Sequence, residues 1–263
     1  MKIGFIGCGN MGKAIIEGIL DHDFSEEIIV YDHHLNDDSL WVKQTGVKVA
    51  ADERQIAREC DYIILAIKPY QIINVLRNIN NCLDETKVIV SLAAGITIDD
   101  ISRYVLLKQP IIRIMPNTAA LVGESMSGVM VNKYVNDEMI EFIFDFCKMF
   151  GKAELIDESK IHAFIGISGS SPAYFYEMLE ALGMAGVHQG LKSEAAYRYA
   201  AQAMLGAAKT YLETQIHPSI LRDQVCSPSG TTIEAVKVLE REGFKGIVMD
   251  AMIECSEKSK NLK

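Results

Sequence analysis

The glycines near the N-terminus have the residue type and spacing of a phosphate-binding turn. Gly7, Gly9 and Gly12 follow the apolar run Ile3–Ile6 and precede a helical pattern. In this context the first glycine permits a tight turn, the second lets the backbone approach a diphosphate, and the third lets helix and strand pack closely. The helix N-terminus then offers N–H groups to the anion. This placement favours a dinucleotide-binding loop over a purely structural turn or a methyltransferase-type nucleotide loop.

An acidic residue and two histidines bear on which dinucleotide would bind. Asp32 lies twenty residues after Gly12, at the end of the second predicted strand. A carboxylate there accepts hydrogen bonds from a ribose 2′-hydroxyl and repels a 2′-phosphate, which favours NADH. His33 and His34 follow at once, and an imidazolium would hold a phosphate instead. NADH and NADPH therefore both stay open, and Asp32 opening a simple turn is the structural alternative.

Three further strand ends carry candidate site residues. They are Ala66–Pro69 with the cation of Lys68, the turn Ala93–Gly95, and the stretch that starts at Arg113 and includes Asn117. Because the carboxyl ends of parallel strands line the ligand crevice, we expect the first two turns to follow the cofactor toward its nicotinamide. The third should bring a guanidinium and an amide to the same edge. A solvated lysine and a strand-terminating turn are the structural alternatives.

A second candidate anion site lies far along the chain. Its hydroxyl groups and glycine precede the helical run Ile233–Glu242, and its residues are Ser227, Ser229, Gly230, Thr231 and Thr232. Free backbone N–H groups at a helix start suit a substrate carboxylate. N-capping is the ordinary role of such residues, and both roles can hold at once because different N–H groups serve each.

The pattern of apolar runs predicts the elements that must position these residues. In the first half, β-rich runs alternate with helical stretches such as Met11–Leu20 and Ser39–Thr45; the runs are Ile3–Ile6, Ile28–Tyr31, Tyr62–Ile67, Val88–Leu92, Ile111–Met115 and Gly128–Val131. This rhythm predicts an α/β fold with a doubly wound, mainly parallel Rossmann sheet. The β-rich runs stop near Asp157. We therefore predict a dinucleotide-binding domain over residues 1–157 and an all-helical domain over 158–263.

Composition limits the classes of partner. The chain has 263 residues, 49% of them apolar, and a net charge of −9, which disfavours nucleic acid and anionic membranes as partners. No apolar run approaches the ~18–20 residues of a membrane span. The six cysteines form no Cys-x-x-Cys pair, which favours a reducing cytoplasm. Neither a His-x-x-x-His pair nor a Gly-x-Ser-x-Gly elbow is present, so we predict no metal and no serine esterase chemistry.

Several separated motifs resemble those of one enzyme family, pyrroline-5-carboxylate reductase. The resemblance covers essentially the whole chain, and its last motif is the most specific because it looks like the family signature. The motifs are Phe5–Gly12, Ile67–Pro69, Arg113–Thr118, Ser168–Tyr174 and Leu221–Thr232. The resemblance implies the last step of proline biosynthesis, in which NADPH or NADH reduces 1-pyrroline-5-carboxylate to L-proline. It also implies a homodimer through the helical domain and leaves a larger assembly of dimers open.

The matching positions assign roles to individual residues. Together with the glycine fingerprint, they predict cofactor contacts at Ile6, Gly7, Cys8, Gly9, Asn10, Met11, Gly12, Asp32, His33, Ala66, Ile67, Lys68, Pro69, Ala93, Ala94 and Gly95. Thr231 and Thr232 should meet the substrate, and Thr232 is similar to the family threonine whose hydroxyl reaches the imine nitrogen.

Departures from the family pattern keep rival functions in view. Ala119 stands where the family often has proline, Ser171 where it often has glycine, and Asp32-His33 where many members have Asn-Arg, which weakens the expectation of NADPH. The rivals are another imine reductase or a 3-hydroxyacid dehydrogenase with the same domain plan, and a dinucleotide sensor without turnover. A buried catalytic lysine in the helical domain would support the dehydrogenase, yet Lys160 and Lys192 lie in no recognisable motif of that kind.

Overall fold

A single twisted sheet organises the N-terminal part of the chain. The structure is a computed structural model that describes residues 1–22 and 24–261. The strand order is β3-β2-β1-β4-β5-β6-β7-β8. The strands are β1 (Lys2–Ile6), β2 (Glu27–Tyr31), β3 (Lys48–Val49), β4 (Tyr62–Leu65), β5 (Val88–Ser91), β6 (Ile111–Met115), β7 (Ser125–Val131) and β8 (Gly151–Leu155).

Helices connect the strands and then make up the C-terminal part. Those between and after the strands are α1 (Asn10–Leu20), α2 (Leu40–Thr45), α3 (Glu53–Glu59), α4 (Pro69–Ile79), α5 (Ile98–Ser102), α6 (Asp137–Lys148) and α7 (Ile161–Phe164). A π-helical segment, Ile165–Gly169, follows. The remaining helices are α8 (Ser171–His188), α9 (Ser193–Thr214), α10 (Pro218–Val225), α11 (Thr231–Arg241) and α12 (Phe244–Lys260).

The sheet is buried on both faces, which explains its continuous apolar strands. In β1 the side chain of Phe5 packs into one apolar core and that of Ile6 into the other. The strand lies between β2 and β4 and is parallel to both, so the direction of winding reverses beside it. A crevice forms at such a reversal, outside the carboxyl ends of the strands. The predicted α/β class and Rossmann-type sheet are confirmed.

The sheet also contains features that the apolar pattern did not predict. β3 has two residues, and β8 places Lys152 and Glu154 among its five, so neither reads as an apolar run. β7 begins at Ser125 rather than Gly128, and it runs antiparallel to β6. β4 ends at Leu65, two residues before the predicted end at Ile67.

The chain divides into two compact units. The first contains Met1–Ser170 and the C-terminal segment from Ser256, and the second contains Ser171–Cys255. In the second unit, α8 and α9 pack closely at Gly183, where an added Cβ would lie 2.3 Å from the Tyr197 ring. The sequence boundary between residues 157 and 158 stays a prediction.

Candidate active site

The glycine loop has the geometry that the fingerprint requires. Gly7 has a φ of +95°, and an added Cβ would lie 2.7 Å from the carbonyl oxygen of Ala66. A Cβ on Gly12 would lie 2.9 Å from the carbonyl oxygen of Gly7, so helix and strand pack without room for a side chain. A Cβ on Gly9 would meet nothing within 4 Å, which leaves the loop backbone open to an approaching ligand. Gly9 is the N-cap residue of α1 and, as a glycine, places no side chain of its own over the N–H groups of the first turn.

A cleft of about 670 Å³ opens above this loop. Its volume suits a small molecule or cofactor, for which sites of roughly 300–1,000 Å³ are usual. The predicted cofactor residues that line it are Ile6, Gly7, Gly9, Asn10, Met11, Asp32, His33, Ala66, Ile67 and Lys68. Cofactor binding by these residues stays a prediction, but the fold brings them to one cleft.

The other predicted cofactor residues lie beneath or beside the cleft. Cys8 is buried under the loop, and burial together with the charge of Asp32 raises the pKa of its thiol to about 12. Gly12 is buried between helix and strand, and Pro69 occupies the first position of α4, where a missing N–H costs little. The loop Ala93–Gly95 follows β5 and does not line the cleft.

The Asp32 carboxylate is bound by backbone groups of its own chain. One oxygen accepts the N–H of Cys8 at 2.8 Å, and the other accepts the N–H of His34 at 2.9 Å. These bonds tie the end of β2 to the glycine loop and fix the negative charge at the cleft. A carboxylate has about four acceptor positions, so it retains capacity for a ribose hydroxyl. Asp32 thus has a structural role in addition to its predicted ligand role.

Some residues of the cleft were not among the predicted site residues. They are Tyr31, His34, Glu53, Tyr70, Gln71, Val75 and Leu92. The Tyr31 hydroxyl lies 3.2 Å from Nδ1 of His33, and burial followed by the charge of Glu53 raises the Tyr31 pKa. Tyr31, His34 and Leu92 lie at strand ends and could have been inferred there. Glu53 begins a helix after an unpredicted strand, so no local signal pointed to it.

The prediction that Arg113 and Asn117 bring a guanidinium and an amide to the same edge of the sheet is wrong for Arg113. Arg113 lies in the middle of β6, is 3% exposed, and pairs with the carboxylate of Glu158. Asn117 is buried and donates to the carbonyl of Ser168 at 3.1 Å, while its own oxygen accepts the N–H of Ala119. The guanidinium and the amide therefore hold protein segments together instead of presenting free groups at the sheet edge. Their partners, Glu158 and Ser168, are too distant in sequence for a local pattern to reveal.

The second candidate site lies in the helical unit, at the start of α11. Gly230 is the N-cap residue of this helix and, as a glycine, supplies no side-chain acceptor to the N–H groups of the first turn. The preceding Ser229 has a φ of +57°, and a Cβ on Gly230 would lie 2.3 Å from Oγ of Ser227. Thr232 is half-buried, whereas Ser227, Ser229 and Thr231 are exposed. The turn is thus tightly built around Gly230 and leaves the start of an eleven-residue helix without a side-chain cap.

Residues 1–22 and 24–261 contain neither a metal-ligand cluster nor a membrane-spanning helix. No group of three or more His, Cys, Asp or Glu side chains there could hold a metal ion. In the same residues, no helix has the length and apolarity to cross a membrane.

Comparison with known proteins gives matches along the whole chain. Residues 158–262 match the family model "Pyrroline-5-carboxylate reductase dimerisation", and residues 2–95 match the model "NADP oxidoreductase coenzyme F420-dependent". The pyrroline-5-carboxylate reductase of Escherichia coli is 44% identical over 99% of this chain and 98% of its own length.

Solved structures of the same family resemble the whole chain. A pyrroline-5-carboxylate reductase from Coxiella burnetii has a TM-score of 0.92 at 32% identity, covering 98% of this chain and 97% of the other. The Plasmodium falciparum pyrroline carboxylate reductase with NADP bound has a TM-score of 0.89 at 31% identity, covering 99% and 97%. Prephenate dehydrogenase from Aquifex aeolicus, at 12% identity and a TM-score of 0.57, shares the fold alone.

Proposed function

The chain belongs to the pyrroline-5-carboxylate reductase family, and from this we propose that it reduces 1-pyrroline-5-carboxylate to L-proline with a reduced nicotinamide dinucleotide. The observation that carries the proposal is the 44% identity with the Escherichia coli reductase over 99% of the chain. A similarity of this extent includes both candidate sites. It favours the reductase over a 3-hydroxyacid dehydrogenase and over a sensor without turnover.

The residues of the cleft fit a dinucleotide. The open space at Gly9 leaves room for a diphosphate, and the uncapped start of α1 offers it N–H groups. Tyr31 and Tyr70 place aromatic rings at the cleft lining, where the apolar part of an adenosine would gain contact area. A reduced nicotinamide, when bound, supplies a hydride. The chain's own residues provide the position and the charge environment.

The charge at the end of β2 supports a preference for NADH over NADPH. Asp32 is held at the cleft by the N–H groups of Cys8 and His34, so its negative charge has little freedom to withdraw from a 2′-phosphate. Repulsion between like charges would then weaken NADPH binding. His33 and His34 are exposed beside it and would attract the phosphate when protonated. The preference therefore depends on the balance between repulsion by Asp32 and attraction by His33 and His34, and NADPH remains a usable cofactor.

The substrate end of the reaction is assigned to the start of α11. Backbone N–H groups at Gly230–Thr232 would hold the carboxylate, since a helix start attracts an anion. The Thr232 hydroxyl would hydrogen-bond the ring nitrogen, a role carried over from the family resemblance. A protonated ring imine is the better hydride acceptor. The hydride adds to the imine carbon, the π electrons pass to nitrogen, and the ring amine of proline results.

Exposed apolar residues of the helical unit support assembly of identical chains. The part of the chain that matches the dimerisation model exposes more than half of Tyr176, Met184, Leu205, Leu212 and Met249. Apolar surface of this extent ordinarily belongs to an interface. We assign a homodimer to this region and leave a larger assembly of dimers open. The six cysteines are unpaired, which supports the proposed cytoplasmic location.

An activity assay tests the proposed function directly. Purified protein is mixed with racemic 1-pyrroline-5-carboxylate and either NADH or NADPH, and the loss of reduced-nicotinamide absorbance is followed. The expected result is turnover with both cofactors and a higher kcat/KM with NADH. Absence of turnover with either cofactor in folded, oligomeric protein would contradict the reductase function.

A further inference from the structure

A buried cation in β6 has no role in the reaction described so far. The Arg113 side chain is 3% exposed and points into the same apolar core as Ile111 and Met115. A buried charge is costly unless it is paired and hydrogen-bonded. Nη1 of Arg113 donates to the carboxylate of Glu158, which lies in the turn after β8 and is 30% exposed.

The same ion pair touches both ends of one loop. We define the β5 loop as residues 92–97, between the end of β5 and the start of α5. Nη2 of Arg113 donates to the carbonyl oxygen of Ala93 at 3.4 Å, near the beginning of this loop. Glu158 accepts the N–H of Ile98 at 2.9 Å, directly after its end. The ion pair therefore joins three segments that are far apart in sequence, and it fixes the β5 loop at its start and its finish.

The position of the β5 loop connects it with the cofactor cleft. β5 is hydrogen-bonded to β4, and the residues after β4 line the cleft. Leu92, the first loop residue, lines the cleft itself, and its N–H donates to the carbonyl of Leu65 at the end of β4. A shift of this loop would thus change the wall of the cleft on the side away from Asp32. The diphosphate end, built from β1 and β2, would be unaffected.

We infer that Arg113 and Glu158 are positioning residues, whose ion pair fixes the β5 loop in the geometry needed for hydride transfer. The inference rests on the proposed function, and neither residue is assigned a contact with substrate or cofactor. Arginine suits this task because its planar fork can bond a carboxylate and a carbonyl at once, whereas the lysine ammonium is a point charge. Misplacement of reacting groups by ~1 Å can reduce a rate by ~100-fold, so a loosened loop would act mainly on kcat.

Three variants separate positioning from folding. Glu158→Gln keeps the shape and an acceptor oxygen, and Arg113→Lys keeps the charge but loses the fork. The double variant Arg113→Met/Glu158→Gln removes both charges of the pair together, so it leaves neither charge without its partner. We expect kcat about 10-fold below wild type in all three. The dissociation constant of NADH should stay within about 2-fold, because the diphosphate end is intact. Asp145→Asn, which breaks the exposed pair with Lys148 on α6, is the matched control and should equal wild type.

Two measurements report on the loop independently of stability. The deuterium isotope effect with cofactor labelled at the transferred position should increase in the variants, since hydride transfer becomes slower relative to other steps. Amide exchange of peptides covering residues 92–98 should accelerate, and the double variant should show this without a lower midpoint of thermal unfolding. A lower midpoint with unchanged kcat, isotope effect and loop exchange would overturn the inference.

The outcome also distinguishes this inference from the proposed function. If wild type fails to turn over 1-pyrroline-5-carboxylate, the proposed function fails, and loop exchange in Glu158→Gln still decides whether the pair fixes the loop. If wild type turns over and the variants match it in kcat and exchange, the inference fails alone.

Discussion

The two units of this chain differ in how far their apolar side chains are buried. The N-terminal unit has apolar cores on both faces of its sheet, with Ile3, Phe5, Ile63 and Ile64 almost fully buried. In the unit Ser171–Cys255, the buried residues among those described are Ser171, Gly183 and Ala196, and large apolar side chains stay exposed. The first unit can therefore form its cleft from its own residues. The second needs a further surface to cover it, which the proposed partner subunit would supply.

The largest expected effect comes from charging the exposed face of α9. Leu205 and Leu212 are 57% and 56% exposed and lie seven residues apart, on one face of the helix. The variant Leu205→Asp/Leu212→Asp should abolish the dimer and lower turnover by about 1,000-fold. The dimer interface would otherwise bury carboxylates that have no partner, which is strongly disfavoured. Light scattering coupled to size-exclusion chromatography and the reductase assay measure both. The control Leu107→Asp charges a residue of the N-terminal unit that is 87% exposed, and it should change neither. A dimeric, active double variant would contradict the assigned interface.

The next effect tests whether the cleft belongs to the first unit. Gly7→Ala puts a Cβ at a φ of +95° and within 2.7 Å of a backbone oxygen, so the loop must shift. We expect the dissociation constant of NADH to rise about 100-fold, or roughly 2.8 kcal/mol, with the dimer intact. Fluorescence titration measures the binding. Gly46→Ala is the matched control, since Gly46 has a φ of +71° but open space around its Cβ. Gly46→Ala should lower the free energy of unfolding without changing the affinity for NADH. An equal loss of affinity in both variants would contradict a specific role of the glycine loop in binding NADH.

A smaller effect is expected at the second unit's own site. Thr232→Ala removes a hydroxyl that would bond the ring nitrogen, a contribution of about 1.5–3 kcal/mol for a charge-assisted bond. Turnover should fall about 10-fold or more while the affinity for NADH is unchanged. Thr210→Ala on α9 is the control, because that hydroxyl donates to the carbonyl of Gly206 in its own helix. Kinetics of Thr232→Ala equal to wild type would remove Thr232 from the reaction.

Sequence patterns predicted the glycine loop but not the contacts between distant segments. The reason is the separation along the chain of the residues that interact. The roles of Gly7, Gly9 and Gly12 follow from neighbours in a single strand-turn-helix unit, so spacing was sufficient to infer them. The bonds of Asp32 to Cys8 and of Arg113 to Glu158 join residues 24 and 45 positions apart. Such contacts depend on strand order and register, which no local pattern encodes. β8 was not predicted because Lys152 and Glu154 interrupt any apolar run in its sequence.

Cofactor choice should respond to the charge that the first unit holds at its cleft. Asp32→Asn removes the negative charge and keeps the side chain's size and one acceptor for a backbone N–H. We expect the ratio of kcat/KM for NADPH to that for NADH to rise about 10-fold, because repulsion of the 2′-phosphate is lost. Steady-state kinetics with both cofactors give this ratio. Asp38→Asn, an exposed carboxylate in the same connection, is the control. A ratio unchanged from wild type would mean that Asp32 acts only through its backbone bonds.

The smallest expected effect concerns the thiol beneath the glycine loop. Burial raises the pKa of Cys8 to about 12, so the thiol is protonated at neutral pH. The thiolate is the reactive form, and Cys8 should therefore resist iodoacetamide in the folded protein. Peptide mass spectrometry after alkylation measures this, with half-buried Cys226 as the internal reference. Rapid alkylation of Cys8 in folded protein would show that the loop opens in solution.

Transfer of label from cofactor to product shows directly whether this chain reduces 1-pyrroline-5-carboxylate. The wild-type protein is incubated with 1-pyrroline-5-carboxylate and nicotinamide cofactor carrying deuterium at the transferable position, and the product is analysed by mass spectrometry and NMR. The expected product is L-proline with one deuterium, bound to the former imine carbon, in equal amount to the cofactor oxidised. Cofactor oxidation without labelled proline, or no oxidation at all, would contradict it.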